Sequence, residues 1–345
     1  MRNSFYGKCQ NCKQYNTFYA WYQLCDPKIT VKGWTSTSRN DVIDKCIKGF
    51  QRKAIMYDDV IEWIPFDRLK DVKYIATGGF GSVFSAIWLD GMRVTEHLSE
   101  CLKEFENHMQ CKLMGSELMI YGLTKSTNND NKLGPKADDY LMVLQFADSG
   151  NLYNGNILQN KIDSTAIRSY IADLGLSKKI EDHIPTGTLF GVMPYVAPEV
   201  LSDKNYTTAA DVYGLGIIMA EMSTGQRHCD GLQFDNNLTF KIIDGLRPEF
   251  APGTPVCYVK LAEKCMDQDL QKRPTANEIS LKLFRLWGLL YYSDMSDNKL
   301  HIKEKFLDAD KKIKELPNII RKHPDSMYTS KPINTKELSI GIYLH

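Results

Sequence analysis

Ile171-Ala172-Asp173-Leu174-Gly175-Leu176-Ser177-Lys178 is the stretch on which the reading of this chain turns. A β-branched run delivers an aspartate into a glycine turn, a placement suited to holding a divalent cation through a hard carboxylate oxygen. Just upstream, Gly155-Asn156-Ile157-Leu158 supplies an amide oxygen, a second hard ligand suited to Mg²⁺. Further back, Ile75-Ala76-Thr77-Gly78-Gly79-Phe80-Gly81-Ser82-Val83 is a glycine-rich turn between two strand-like runs. Without Cβ atoms such a turn lets backbone N–H groups approach phosphates closely. Downstream, Pro194-Tyr195-Val196-Ala197-Pro198-Glu199 precedes Ala210-Asp211-Val212-Tyr213-Gly214-Leu215-Gly216 and Lys272-Arg273-Pro274-Thr275.

Around these stretches, composition sets the bounds. The chain has 345 residues, 43 basic against 42 acidic, and a net charge of +1, so nothing pulls it globally toward nucleic acid or a membrane surface. Hydrophobic content of 43% with 25% charged residues is that of a globular protein. No run approaches the ~20 apolar residues of a membrane span. The polar, Cys- and Tyr-rich opening lacks a signal-sequence pattern. Nine cysteines, an odd count, favour reduced thiols or thiolates on a metal over a disulfide framework. The expectation is a cytoplasmic protein.

Strand-like runs come first, at Val72–Ala76, Ser82–Leu89, Ile120–Leu123 and Tyr140–Phe146. Helical patterns dominate later, at Asp211–Met222, Asn237–Asp244, Val256–Met266 and Ala276–Leu290. Strands followed by helices indicate an α+β fold in two lobes. Four segments are expected: a Cys-rich knuckle over 1–30, a helical extension over 31–68, a main domain over 69–292, and a polar tail over 293–345 with a helix at His301–Leu316. The extension carries an amphipathic helix near Asp41–Met56, with Val42, Ile43, Cys46, Ile47 and Phe50 at helical spacing, and then a strand or docking segment over Ile61–Phe66.

Taken in order, these motifs resemble the signature set of the eukaryotic protein kinases over about residues 69–290. Ala76-x-Gly78-x-x-Gly81-x-Val83 looks like the phosphate-covering loop and Asp173-Leu174-Gly175 like the D-F-G motif, with Asn156 matching the catalytic-loop asparagine. Ala197-Pro198-Glu199 is A-P-E, Asp211 matches the aspartate of the central C-lobe helix, which in the family bonds backbone, and Arg273 matches the arginine that pairs with the A-P-E glutamate. The wording around Asp173 and Asp211 is similar to tyrosine-kinase-like members. The resemblance implies a two-lobed fold, ATP bound through Gly78, Gly79, Gly81, Val83, Gln145 and Ala147, and Mg²⁺ on Asn156 and Asp173. It implies a protein substrate or partner, structural roles for Glu104, Glu199, Asp211 and Arg273, and an activation segment in which Ser177, Thr186 and Thr188 are either phosphorylation sites or solvated hydroxyls.

Catalysis needs more than the fold. In the family a third-strand lysine holds the α/β-phosphates and pairs with a helix-C glutamate, for which Glu104 is the match. No V-A-x-K run exists: Trp88-Leu89-Asp90-Gly91-Met92-Arg93-Val94-Thr95 passes almost at once into helix C. Lys103 adjoins Glu104 and cannot face it, leaving Arg93 as the nearby cation. The catalytic aspartate should lie five residues before Asn156, where Asn151 stands. From Gly78 to Asp173 is about 95 residues, against roughly 130 in ordinary members. The third strand and helices D and E are therefore read as missing, and with helix E gone the chain is expected to be marginally stable. A working kinase is one reading, opposed by these two absences, and two others stand beside it. One is a pseudokinase-type binding module that retains weak nucleotide binding; the other is a truncated or mis-joined product of an active kinase.

Cys9, Cys12 and Cys25 have knuckle spacing, with Cys46 available as a fourth ligand, so a structural Zn²⁺ site stands beside loosely packed thiols as alternatives.

Overall fold

The computed structural model describes residues 7–9, 12–16, 38–54, 59–77, 82–89, 95–97, 109, 120–127, 135–145, 147, 157–161, 167–171, 189–202, 206–291, 297–314 and 322–333. The chain divides into two compact units, Met1–Lys178 and Lys179–His345. The first is built on sheet and the second on helix, an α+β arrangement.

In the first unit, helix α1 (Asp41–Gln51) opens at Asn40, whose side chain accepts from the N–H groups of Val42 and Ile43. That satisfies two donors the helix cannot. Ile43, Ile47 and Phe50 recur on one face and are buried; Val42 points to solvent. The helix stops short of the expected Met56.

A six-stranded sheet follows, in the order β1-β5-β6-β4-β3-β2, with strands at Glu62–Trp63, Leu69–Thr77, Ser82–Trp88, Thr95–His97, Ile120–Lys125 and Tyr140–Leu144. Leu141, Met142, Val143 and Leu144 are all buried, as befits an inner strand covered on both faces. Met142 and Leu144 share a core with α1, Met109 and Tyr170, whereas Val143 packs with Ile64, Leu69 and Ala86 on the other side. Strand β1 pairs in parallel with β5. The approach is so close that a Cβ on Gly122 would lie 1.9 Å from the Glu62 carbonyl oxygen. Gln51 ties α1 to the same segment by donating to the Ile61 carbonyl at 2.7 Å.

The third strand of the family's sheet, expected to be missing after Trp88, is present here as β4. Thr95–His97 pairs antiparallel with β3 on one side and with β6 on the other. Its three residues have little strand signal of their own; two flanking strands with open hydrogen-bonding edges supply the drive. Helices D and E would fall at 146 and 148–156, outside the described residues.

A two-stranded hairpin, β7 (Ile157–Lys161) and β8 (Ile167–Ile171), completes the first unit. Tyr170 is buried in the α1-side core and Leu158 packs against it.

The second unit begins with β9 (Leu189–Gly191) and a short helix α2 (Pro198–Leu201) with proline at its first position. It continues with α3 (Thr208–Thr224), α4 (Asn236–Ile243), α5 (Val256–Cys265), α6 (Ala276–Tyr291) and α7 (Asp297–Lys314), and ends on β10 (Lys331–Ile333). Helix α3 is its axis: Ala210, Val212, Tyr213, Ile217, Met219 and Ala220 are buried. It lies so near α5 that a Cβ on Gly216 would come within 2.6 Å of Met266. It ends at Gly225 in the left-handed conformation that glycine adopts without strain. No helix of the described residues is long and apolar enough to cross a membrane.

Candidate functional site

Strands β2 and β3 pair antiparallel up to Thr77↔Ser82. Gly78, Gly79 and Gly81, which follow Thr77 in sequence, lie outside the described residues. Val83, the second residue of β3, is half-buried, as are Gln145 and Ala147 just beyond the end of β6.

The β7–β8 hairpin lies between the two predicted cation ligands in sequence. Ile157 pairs with Ile171 at its open end. Asn156 is the residue before Ile157 and Asp173 the second after Ile171 in sequence; both, with Asn151 and Glu104, lie outside the described residues. An amide and a carboxylate oxygen suit Mg²⁺, a hard cation that takes few protein ligands. The third strand, where the family carries its phosphate-holding lysine, consists of Thr95, Glu96 and His97.

The second unit holds the predicted ion pair. Arg273 donates through Nη1 to Glu199 Oε1 at 2.8 Å and through Nη2 to Oε2 at 2.7 Å. Its Nε donates to the Asp267 carbonyl at 2.8 Å, and Nη1 also reaches the Ala209 carbonyl at 2.9 Å. The side chains are 0% and 5% exposed, so this bidentate pair is fully desolvated. It ties the A-P-E helix to the loop before α6. The Arg273 and Arg247 guanidinium groups both lie over the buried Tyr213 ring, 5.2 and 4.9 Å from its centroid. Asp211 stands in the first turn of α3, exposed, and among the described residues its partner is the Tyr206 hydroxyl at 2.7 Å rather than backbone.

One cluster was not foreseen. The Tyr195 hydroxyl donates to Glu221, 3.0 and 3.1 Å from its two oxygens, and the His228 backbone N–H donates to Oε1 at 2.6 Å. Burial pushes the Glu221 carboxyl up to about 7, against the pull of those donors. Burial, aided by Arg247, pushes the His228 imidazole down to about 4. Burial, reinforced by Glu221, raises Tyr195 as well. Tyr195 stood inside a quoted motif, but nothing in the sequence indicates that it meets a residue 26 positions away.

Near the N-terminus, Cys9 and Cys12 lie in a tight turn in which the Lys13 N–H donates to the Cys9 carbonyl at 2.9 Å, beside a bridge between Lys8 and Tyr15. Cys25 is outside the described residues. Among the described residues no group of three or more His, Cys, Asp or Glu side chains is placed to hold a metal ion, so the zinc expectation gains no support.

Comparison with known proteins bears on the same stretches. The protein kinase domain family matches residues 151–284. The chain is 26% identical over 296 residues to a probable serine/threonine-protein kinase of Dictyostelium discoideum, an alignment covering 70% of this chain and 16% of that protein. It is 22% identical over 289 residues to wall-associated receptor kinase-like 4 of Arabidopsis thaliana, covering 67% and 38%. It is 23% identical over 292 residues to the brassinosteroid LRR receptor kinase BRL3 of Oryza sativa subsp. japonica, covering 67% and 24%. The chain thus spans well under half the length of these relatives. The protein kinase domain match over residues 151–284 and these relatives support a member of the eukaryotic protein kinase superfamily, in keeping with the ordered motifs and the sheet-then-helix architecture.

Proposed function

We propose that this chain is a pseudokinase-type binding module of the tyrosine-kinase-like group, one that holds Mg²⁺–nucleotide weakly and transfers phosphate poorly or not at all. The observation that carries the reading is the third strand. It lies between β3 and β6, and it bears Thr95, Glu96 and His97 in place of a lysine. Asn151 at the expected position of the catalytic aspartate points the same way, because an amide cannot accept the proton of an attacking hydroxyl. Gly78, Gly79, Gly81, Asn156 and Asp173 remain as candidate ligands for ATP and Mg²⁺, and when bound the metal would neutralise phosphate charge. Loss of a general base costs about 10²–10⁴ in rate, and loss of the lysine removes further electrostatic positioning. Signalling through a protein partner, in a cytoplasmic setting suggested by the odd cysteine count, is the role that fits a kinase fold without full catalytic equipment.

A second reading is favoured by the short interval between β6 and β7. Residues 145–156 leave no room for helices D and E together with a catalytic loop, as in a truncated or mis-joined product of an active kinase. Sequencing the transcript separates the two. A message encoding a third-strand lysine and an H-R-D before Asn156 establishes the second reading. A message matching this chain leaves the first, and thermal-shift titration with ATP and Mg²⁺ then tests it: stabilisation that requires Mg²⁺ and is lost in Asp173→Ala is the expected result.

A further inference from the structure

Helix α1 and the β7–β8 hairpin lie far apart in sequence and share one core. Ile43, Ile47 and Phe50 of the helix are buried there together with Tyr170 of β8. Leu158, the partner of Tyr170 across the hairpin, packs against the same cluster. The sheet contributes Leu123, Met142 and Leu144.

Neither element is stable by itself. An isolated helix of fewer than about 12–15 residues does not persist in water, and α1 has 11. A two-stranded hairpin is likewise marginal alone. Among the described hairpin residues Tyr170 is the buried one, while Ile167 and Ile171 are 60% and 68% exposed. The apolar grip on the hairpin is thus the Leu158–Tyr170 pair, within the core that α1 completes. The helix is fastened at both ends. Asn40 Nδ2 donates to the Tyr140 hydroxyl at 3.2 Å, and Gln51 Nε2 to the Ile61 carbonyl at 2.7 Å. Ile61 belongs to this core and Tyr140 borders it. Folding of α1, its docking and the seating of the hairpin therefore form one linked equilibrium.

We propose that α1 is a releasable brace that regulates nucleotide binding. Docked, it seats the hairpin in the form that takes Mg²⁺–nucleotide; released, it lets the hairpin loosen and the affinity fall. This regulation rests on the reading of Asn156 and Asp173 as cation ligands, one residue before β7 and two after β8 in sequence. Residues 41–51 lie outside both the signature motifs and the matched stretch 151–284, so the brace is separate from the family's catalytic parts. Linkage is reciprocal: bound nucleotide steadies α1 by the factor by which docked α1 tightens nucleotide.

Hydrogen exchange and calorimetric titration with Mg²⁺·ADP test this on the full chain and on Asn40→Ala, which removes the cap and the bond to Tyr140 but leaves the core intact. Loss of a cap shifts such an equilibrium about fivefold. Amides of 41–51 should exchange about fivefold faster, those of 157–161 and 167–171 should follow, and the dissociation constant for Mg²⁺·ADP should rise by a similar factor. Residues 69–77, whose buried Leu69 lies in a different core, are the reference and should not change. Phe50→Leu, a mild change within the core, should move the same amides in the same proportion. Saturating Mg²⁺·ADP should slow exchange over 41–51 in the unsubstituted chain and leave Asp173→Ala unaffected. Faster exchange in α1 beside an unchanged hairpin overturns the proposal, as does an unchanged dissociation constant beside a loosened hairpin. Equal loosening of 69–77 also overturns it, because α1 is then a general stabiliser. Failure of the unsubstituted chain to bind Mg²⁺·ADP overturns the reading of the cation ligands and with it the regulatory role; the exchange comparison alone then decides whether α1 seats the hairpin.

Discussion

Replacing Glu199 with alanine removes the whole counter-charge from Arg273. The guanidinium keeps two partners, the carbonyls of Asp267 and Ala209, but loses both charge-assisted bonds of 2.8 and 2.7 Å. With the arginine side chain 0% exposed, water cannot replace them without opening the structure. Breaking a buried pair from one side costs about 3–5 kcal/mol. For a unit of this size each kcal/mol shifts the midpoint by about 2–4 °C, so Glu199→Ala should melt about 6–20 °C lower. Arg273→Ala leaves the Glu199 carboxylate buried without its cation and should cost a comparable amount. Removing both partners as Glu199→Leu/Arg273→Met should cost less than the two single changes added together. Urea denaturation followed by circular dichroism measures all of this. A Glu199→Ala cost below about 1 kcal/mol, the range of exposed pairs, would refute the reasoning.

Other expectations follow from the same geometry. Glu221, raised from 4.5 to about 7, lends stability that is fully present below 4.5 and lost as pH rises through 7. His228, lowered from 6.5 to about 4, lends stability that is present above 6.5 and lost as pH falls through 4. The two slopes oppose each other between 4.5 and 6.5, each worth on the order of 3 kcal/mol. In urea midpoints taken against pH, His228→Gln should therefore leave a profile that falls with rising pH, and Glu221→Gln one that rises; identical profiles in all three proteins would discredit the cluster. Gly122→Ala drives a Cβ to within 1.9 Å of the Glu62 carbonyl oxygen, so β1 must separate from β5. About 1–3 kcal/mol of destabilisation is expected, with faster amide exchange over residues 61–64, and unchanged exchange there would count against the pairing.

Much of this was legible beforehand because motif residues carry their own chemistry. Glu199 and Arg273 were paired from the sequence 74 positions apart, and the structure joins them by two bonds. Asn156 and Asp173, the expected co-ligands, lie outside the described residues on either side of the β7–β8 hairpin in sequence. What escaped reading depended on neighbours. Thr95–His97 becomes a strand only because β3 and β6 flank it, and Lys331-Pro332-Ile333, with a proline at its centre, has no strand signal until it meets Leu189–Gly191. The contact between Tyr195 and Glu221 is likewise set by where α3 ends, at Gly225, and not by any local pattern.

The central claim is that the motifs hold nucleotide without completing the catalytic set. Radiolabelled ATP, Mg²⁺ and a generic protein acceptor, incubated with the purified chain and with its Asp173→Ala variant, test it most directly. The account predicts phosphate incorporation at background for both proteins. Incorporation by the unsubstituted chain that disappears in Asp173→Ala would contradict it.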